Sequence, residues 1–373
     1  MQKVTWQQVN VWRLAQQQLL VRAEAADWRQ VVMRLGGVQA QLMSAAELAL
    51  WVRVQGITPS AIGELLWMKR QLVKTWAMRG TLHLLPGDQF GRLVAAWAAT
   101  TVKRPPSYYT YHKVTSAELT AIMETVPQVL SAMPITREQL ADAVVERTGN
   151  PNLREVLLSG WGALLKPSAR RGDLCFGPNA GQNVTFVQPE QWLGPWPPQE
   201  PMAALQTVAR TFLTTYGPAT LDEFARWWGI DATQARKLFK SMADEVMVVD
   251  IEGWQAQCLS STLDALTAVE AVHTVRLLPY FDPYTIAIAR HSDFLLPTAQ
   301  KNKVYRAQGW ISPVVLIDGN IVGVWEHAIK RERTEVVVTL FATVPTAVRT
   351  AITAEAERLG QFLGHPTNIK FAV

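Results

Sequence analysis

Two helix starts stand eleven residues apart at Thr220-Leu221-Asp222-Glu223 and Asp231-Ala232-Thr233-Gln234, each pairing a capping side chain with a reciprocal partner three residues on. Only Gly229-Ile230 is left between them for a turn, so the first helix ends near Trp228 and the second runs to about Met242. Val246 to Ile251 and Trp254 to Cys258 then alternate as two strands around Glu252-Gly253. Helix, glycine-containing turn, helix and hairpin is the grammar of a winged helix.

The same grammar recurs upstream. Thr136-Arg137-Glu138-Gln139 opens a helix to Arg147, and Asn152-Leu153-Arg154-Glu155 opens another, expected to reach about Leu165. Gly172 to Phe176 and Asn183 to Val187 follow as strands around a wing at Gly177 to Gln182. Earlier still, Thr58-Pro59 caps a helix to about Met68, a further helical stretch is expected around Lys69 to Trp76, and Thr81 to Leu85 reads as a short strand closed by Pro86-Gly87. Linkers at Arg104-Pro105-Pro106 and Pro195-Trp196-Pro197-Pro198 separate the repeats. Beyond Thr274 apolar strand-like runs take over: Pro313 to Asp318, a Gly319-Asn320 turn, Ile321 to Trp325 and Glu335 to Phe341, with a last helix around Val348 to Leu363. The expected fold is α+β and predominantly helical, with three tandem winged-helix units at 1-110, 111-200 and 201-273 and a small α+β part at 274-373.

Composition excludes several classes. The 373 residues are 49% hydrophobic, enough for several cored domains, yet no run approaches the length of a membrane span and Met1 to Asn10 lack a signal-peptide pattern. Two cysteines, Cys175 and Cys258, and six scattered histidines offer neither a disulfide framework nor a metal ligand set, and no glycine-rich phosphate loop occurs. No cofactor is expected, and the compartment expected is the cytoplasm. A net charge of +5 is compatible with a polyanionic partner. Its distribution says more: basic residues gather at Lys69, Arg70, Lys74 and Arg79, at Lys166, Arg170 and Arg171, and at Arg236, Lys237 and Lys240, equivalent points of the repeat. A fourth cluster is Lys330, Arg331 and Arg333. Solvated helix faces would explain any one cluster alone.

One segment breaks the helical pattern. Trp28 to Leu35 reads as a helix that Gly36-Gly37 can terminate in the left-handed conformation, and Ser44-Ala45-Ala46-Glu47 reads as the capping box of the next. Residues 38–43 are then expected to be extended or irregular, and in an extended segment Gln39 and Gln41, two apart, would aim both carboxamides at one spot. Gln255-Ala256-Gln257 repeats the tripeptide inside an ordinary strand, so surface amides or cap partners stay open as the other reading.

Gln39-Ala40-Gln41, Met78-Arg79-Gly80-Thr81-Leu82-His83-Leu84-Leu85-Pro86, Leu277-Leu278-Pro279-Tyr280-Phe281-Asp282-Pro283-Tyr284 and Gly319-Asn320-Ile321-Val322-Gly323-Val324-Trp325 together carry a resemblance over nearly the full length. The chain resembles the AlkZ/YcaQ-type winged-helix DNA glycosylases, with the glutamine-x-glutamine motif of the AlkZ-like, azinomycin-resistance branch. The resemblance implies three winged helices forming a C-shaped cleft on duplex DNA and catalysis at Gln39 and Gln41. It also implies that the face carrying Arg79, Thr81 and His83 borders the DNA.

The chemistry is coherent without the name. A purine alkylated at N7 or N3 is cationic and leaves as a neutral base, so the protein needs only to hold a water below C1′ and tolerate an oxocarbenium-like sugar, and two carboxamide oxygens can accept that water's hydrogens. A glutamine is no strong base, so undamaged bases and uracil stay in place. Asp282 is the carboxylate candidate for assisting the water or the sugar cation, with a loop-stabilising Asx turn as its alternative; His83 is either a DNA-facing group or a satisfied buried histidine. DNA contacts are assigned to Arg79, Thr81, His83, Lys69, Arg70, Lys166, Arg170, Arg171, Arg236 and Lys237. The expectation is a monomeric, monofunctional glycosylase for alkylpurines in double-stranded DNA, extending to bulky adducts or interstrand crosslinks, with no lyase step. The rival is a non-catalytic winged-helix transcriptional regulator, which would dimerise on a palindrome.

Overall fold

The computed structural model describes residues 1–160, 162–287 and 293–372. The chain is a mixed α+β protein that divides into two compact units. One comprises Met1–Ile62, Ala209–Trp227 and Ala235–Val373, the other Gly63–Val208 and Trp228–Gln234.

The first, discontinuous unit brings distant segments together through β pairing. Strand Gln2–Val4 runs parallel to Val246–Ile251, which pairs antiparallel with Trp254–Leu259. The C-terminal sheet has the order Val275–Leu278, Val314–Ile317, Asn320–Lys330, Arg333–Leu340, Thr367–Ala372. Its last pair is parallel, and helix Thr346–Leu363 makes the crossover that parallel strands require. Leu277, Val315, Val336 and Val338 on the sheet and Ile352, Ala356 and Leu359 on the helix are fully buried, a helix-on-sheet layer. The turn before Asn320–Lys330 falls one residue earlier than expected: Asp318 and Gly319 take φ +51° and +86°, the type I′ pattern that matches strand twist.

In the second unit strands lie in the order Leu82–Pro86, Leu72–Trp76, Cys175–Ala180, Asn183–Val187, Ile135–Thr136. Helices Ser116–Val129 and Arg137–Thr148 pack on them around Trp76, whose ring meets Phe176 edge-on at 4.7 Å.

Several expectations are corrected. Lys69 to Trp76 is not helical: after Pro59–Gly63 and a π-helical turn Glu64–Met68, the chain enters strand Leu72–Trp76, because four of its five residues are buried against Leu82–Pro86. The helix opening at Asn152 ends at Leu158, where Ser159 is extended and Gly160 and Gly162 have positive φ. Strand Cys175–Ala180 continues to a turn at Gly181, so the wing is shorter than expected. Arg104-Pro105-Pro106 leads directly into helix Pro106–His112, with Pro at the first helical position. Helix Met43–Trp51 starts ahead of Ser44, with Leu42 as N-cap and no side-chain cap, so Ser44 to Glu47 is not a capping box. The boxes at Thr136 and Thr220 form as expected.

Candidate functional site

Helix Trp28–Arg34 ends as the sequence anticipates: Gly36 takes φ +67°, its N–H donates to the Met33 carbonyl, and that of Gly37 donates to Val32. The orphan carbonyls at this helix end are then taken by the neighbouring segment. Thr215 Oγ1 donates to Arg34 at 2.6 Å and the Tyr216 hydroxyl to Leu35 at 2.7 Å, while Arg13 holds the Tyr216 and Pro218 carbonyls at 2.9 and 2.8 Å. A Cβ on Gly36 would lie 2.9 Å from the Trp227 ring. These contacts fix the take-off of the next segment.

That segment is the short strand Val38–Gln39 followed by a bend. Val38 and Ala40 are fully buried and Gln39 is 8% exposed, whereas Gln41 is exposed. The two glutamines thus sit in unlike environments and are not brought to one spot by a shared strand face, because both faces are covered from Val38 to Ala40 while Gln41 lies in the bend beyond the strand.

Asp282 is fully buried. Its two oxygens accept from Arg53 Nη2 and Nη1, both at 2.7 Å, and Oδ1 also accepts the Tyr284 N–H at 2.9 Å. The Asx-turn alternative is therefore present, joined by a bidentate ion pair that places no carboxylate oxygen at the surface. Arg53, which the sequence reading missed, also donates to the Ala49 carbonyl at 2.9 Å and so ties Asp282 to helix Met43–Trp51 directly after the Gln39 segment. A signal was available: Arg53 stands alone in the apolar run Leu48 to Val54, and a charge in such a run requires a buried partner. Arg236 and Lys237 are exposed on helix Ala232–Lys240.

In the second unit Arg79 occupies a tight turn at φ +57° and Thr81 precedes the strand, so these two do not alternate along it with His83. Thr81 Oγ1 donates to the Met78 carbonyl at 3.1 Å. His83 is buried. Its Nδ1–H donates to the Thr81 carbonyl at 3.0 Å, leaving Nε2 to accept from Arg79 Nη2 at 3.4 Å. Burial, then the Arg79 charge, pushes its pKa down to about 3 against the opposing Thr81 bond. His83 is thus a neutral, satisfied histidine, the second of its two readings.

The remaining basic candidates separate by what they touch. Lys69 pairs with Glu64 at 3.3 Å, Arg70 lies 3.8 Å over the Trp192 ring and Arg171 pairs with Asp173 at 2.9 Å. Arg170 donates to the carbonyls of Trp97 and Thr100 at 3.1 and 3.2 Å, closing the end of helix Phe90–Ala98. Arg79, Lys166 and Arg170 come together, with Lys103 and Arg104, around a cavity of about 520 Å³ with no carboxylate among the described residues that line it.

A mixed α+β chain with two glutamines on an anchored segment and a basic cavity has the features of a protein that meets a polyanion. The family model described as DNA glycosylase AlkZ-like matches residues 32–362. An interstrand DNA cross-link repair glycosylase from Streptomyces sahachiroi is 37% identical over 369 residues, covering 97% of each chain. The solved structure of Streptomyces sahachiroi DNA glycosylase AlkZ superposes with a TM-score of 0.90 at 36% identity, covering 99% of this chain and all of that one. The chain belongs to the AlkZ-like DNA glycosylase family; it is a DNA glycosylase, a hydrolase that acts on DNA.

Proposed function

We propose that this enzyme hydrolyses the N-glycosidic bond of cationic N7- and N3-alkylated purines in duplex DNA. Gln39 and Gln41 hold the attacking water, and the product is an abasic site without strand cleavage. The observation that carries the reading is the Gln39-Ala40-Gln41 segment, anchored by Gly36, Thr215 and Tyr216 at the end of a helix. Anchoring matters because a water held by neutral amides gains its rate from position and not from basicity. The Streptomyces sahachiroi relative is named for interstrand cross-link repair, which supports extending the substrate range to bulky adducts and crosslinks.

In this reading Asp282 works through Arg53 as a positioning residue. DNA contacts come from Arg79, Thr81, Lys69, Arg70, Lys166, Arg170, Arg171, Arg236 and Lys237, on three winged-helix units of a cytoplasmic monomer. Support for the third unit is the run of helix Leu221–Trp228, helix Ala232–Lys240 and hairpin Val246–Leu259.

The test is release of 7-methylguanine from methylated duplex DNA by the unaltered protein and by Gln39→Ala and Gln41→Ala, each at saturating protein. A loss of ~10²-fold or more, the scale of a positioned proton-handling group, is expected for at least one of them, with duplex affinity kept. Release surviving both substitutions would move the chemistry off this segment. Release of uracil would show a stronger base than an amide.

A further inference from the structure

In the cavity of the second unit the fold accounts for Arg170 through its bonds to the Trp97 and Thr100 carbonyls, but not for the charges gathered beside it. Arg104 acts on Arg170 as a like charge: burial, then Arg104, holds the Arg170 guanidinium down at about 10. Burial likewise holds the Lys166 ammonium below its usual range. Lys166 stands at the first position of helix Lys166–Arg171, with Nζ 3.6 Å from where a Cβ on Gly80 would sit. Among the described residues no carboxylate pairs with Lys166 or Arg104, and Asp231, whose carboxyl feels Lys103, is exposed and accepts from Gln234. Clustered half-buried cations without counter-charge raise the free energy of the empty protein, and an anion in the cavity removes that penalty.

Size and walls narrow the anion. A phosphate needs only a small part of about 520 Å³, a volume within the ~300–1,000 Å³ range of small-molecule sites. The remainder is walled by Trp76, Trp97, Trp228 and Tyr108. Tyr108 is contacted by the Arg104 guanidinium at 5.8 Å and by His112 edge-on at 4.5 Å. Gly80 and Gly229 keep the backbone wall thin: Cβ atoms there would meet Lys166 and the Arg79 backbone, the latter at 3.0 Å.

From this arrangement we infer that the cavity is a binding site for one nucleoside monophosphate unit, its phosphate on Lys166 and Arg104 and its base against the aromatic wall. The unit is either a nucleotide of a DNA strand turned into the cavity or a free nucleotide. The first source rests on the DNA-glycosylase reading; the site itself does not depend on Gln39 or Gln41.

The test is titration calorimetry of the full-length protein with deoxyguanosine monophosphate, deoxyguanosine and inorganic phosphate, repeated with Lys166→Gln and Arg104→Gln. The nucleotide is expected to bind about tenfold or more tighter than phosphate or nucleoside, a factor within the energy of one base stacked on an aromatic ring. Each substitution should weaken it by a similar factor with the thermal midpoint of the empty protein kept or raised, since a like charge is removed. If one variant fails to fold, the other carries the test. Equal affinity for nucleotide and phosphate, or affinity untouched in a folded variant, overturns the inference. Displacement of a labelled duplex by the nucleotide assigns the site to a DNA nucleotide, and binding without displacement assigns it to a free one. Release of 7-methylguanine, measured alongside, reports separately on the glycosylase reading.

Discussion

Removing the Asp282 carboxylate is the most informative single change, because it separates a group that holds the fold from one that does the chemistry. Asp282→Ala deletes two 2.7 Å bonds to Arg53 and the bond from the Tyr284 N–H, and leaves a fully buried guanidinium with the Ala49 carbonyl as its remaining bonded partner. Breaking one side of a buried pair costs about 3–5 kcal/mol, since the stranded charge keeps its desolvation penalty. For a cooperative unit of roughly 150–250 residues that is a fall in midpoint of about 6–20 °C. Replacing both partners with apolar residues, Arg53→Met with Asp282→Leu, removes the stranded charge as well, so the double variant should be less damaged than the single one by about 2 kcal/mol or more. Urea unfolding of the four proteins followed by tryptophan fluorescence measures this coupling, with 7-methylguanine release assayed below the transition. A single variant within about 1 kcal/mol of the unaltered protein, yet without base release, would refute the positioning argument.

His83 and Gly36 give two further checks. The folded pKa of His83, about 3, lies below the 6.5 of an exposed histidine, so the unfolded chain binds the extra proton. Stability is then full above about pH 6.5 and falls toward about pH 3, by up to roughly 1.4 kcal/mol per pH unit; His83→Gln should flatten that slope in unfolding experiments across pH 4 to 7. Gly36→Ala forces a Cβ into a φ of +67° against Trp227, a combination of strain and overpacking worth about 2–4 kcal/mol. It should lower single-turnover base release more than duplex affinity, and an unchanged release rate would show that the helix end does not set the Gln39 position.

What the sequence revealed was whatever a few neighbouring residues decide. The boxes at Thr136 and Thr220, the left-handed Gly36 and the strands at Val314–Ile317 and Arg333–Leu340 follow from the local pattern of neighbouring side chains, whereas Thr367–Ala372 and the extension of Asn320–Lys330 beyond Trp325 are not anticipated by it. Lys69 to Trp76 misled because its local pattern suits a helix while its burial against Leu82–Pro86 makes a strand. The environments of Gln39 and Gln41 also escaped, since where a two-residue strand ends and how far its cover extends depend on segments far away. The role of Asp282 escaped for the same reason: Arg53 lies 229 positions earlier.

That separation bears on how the enzyme is born. The Gly63–Val208 stretch is continuous apart from seven returning residues and can fold as it leaves the ribosome, whereas the unit containing Gln39 lacks its strand partner Val246–Ile251 and its counter-ion Asp282 until most of the chain has been translated. A prematurely terminated product would carry Gln39 and Gln41 without the framework that holds them. Such a fragment is expected to release no base, a consequence of chain order alone.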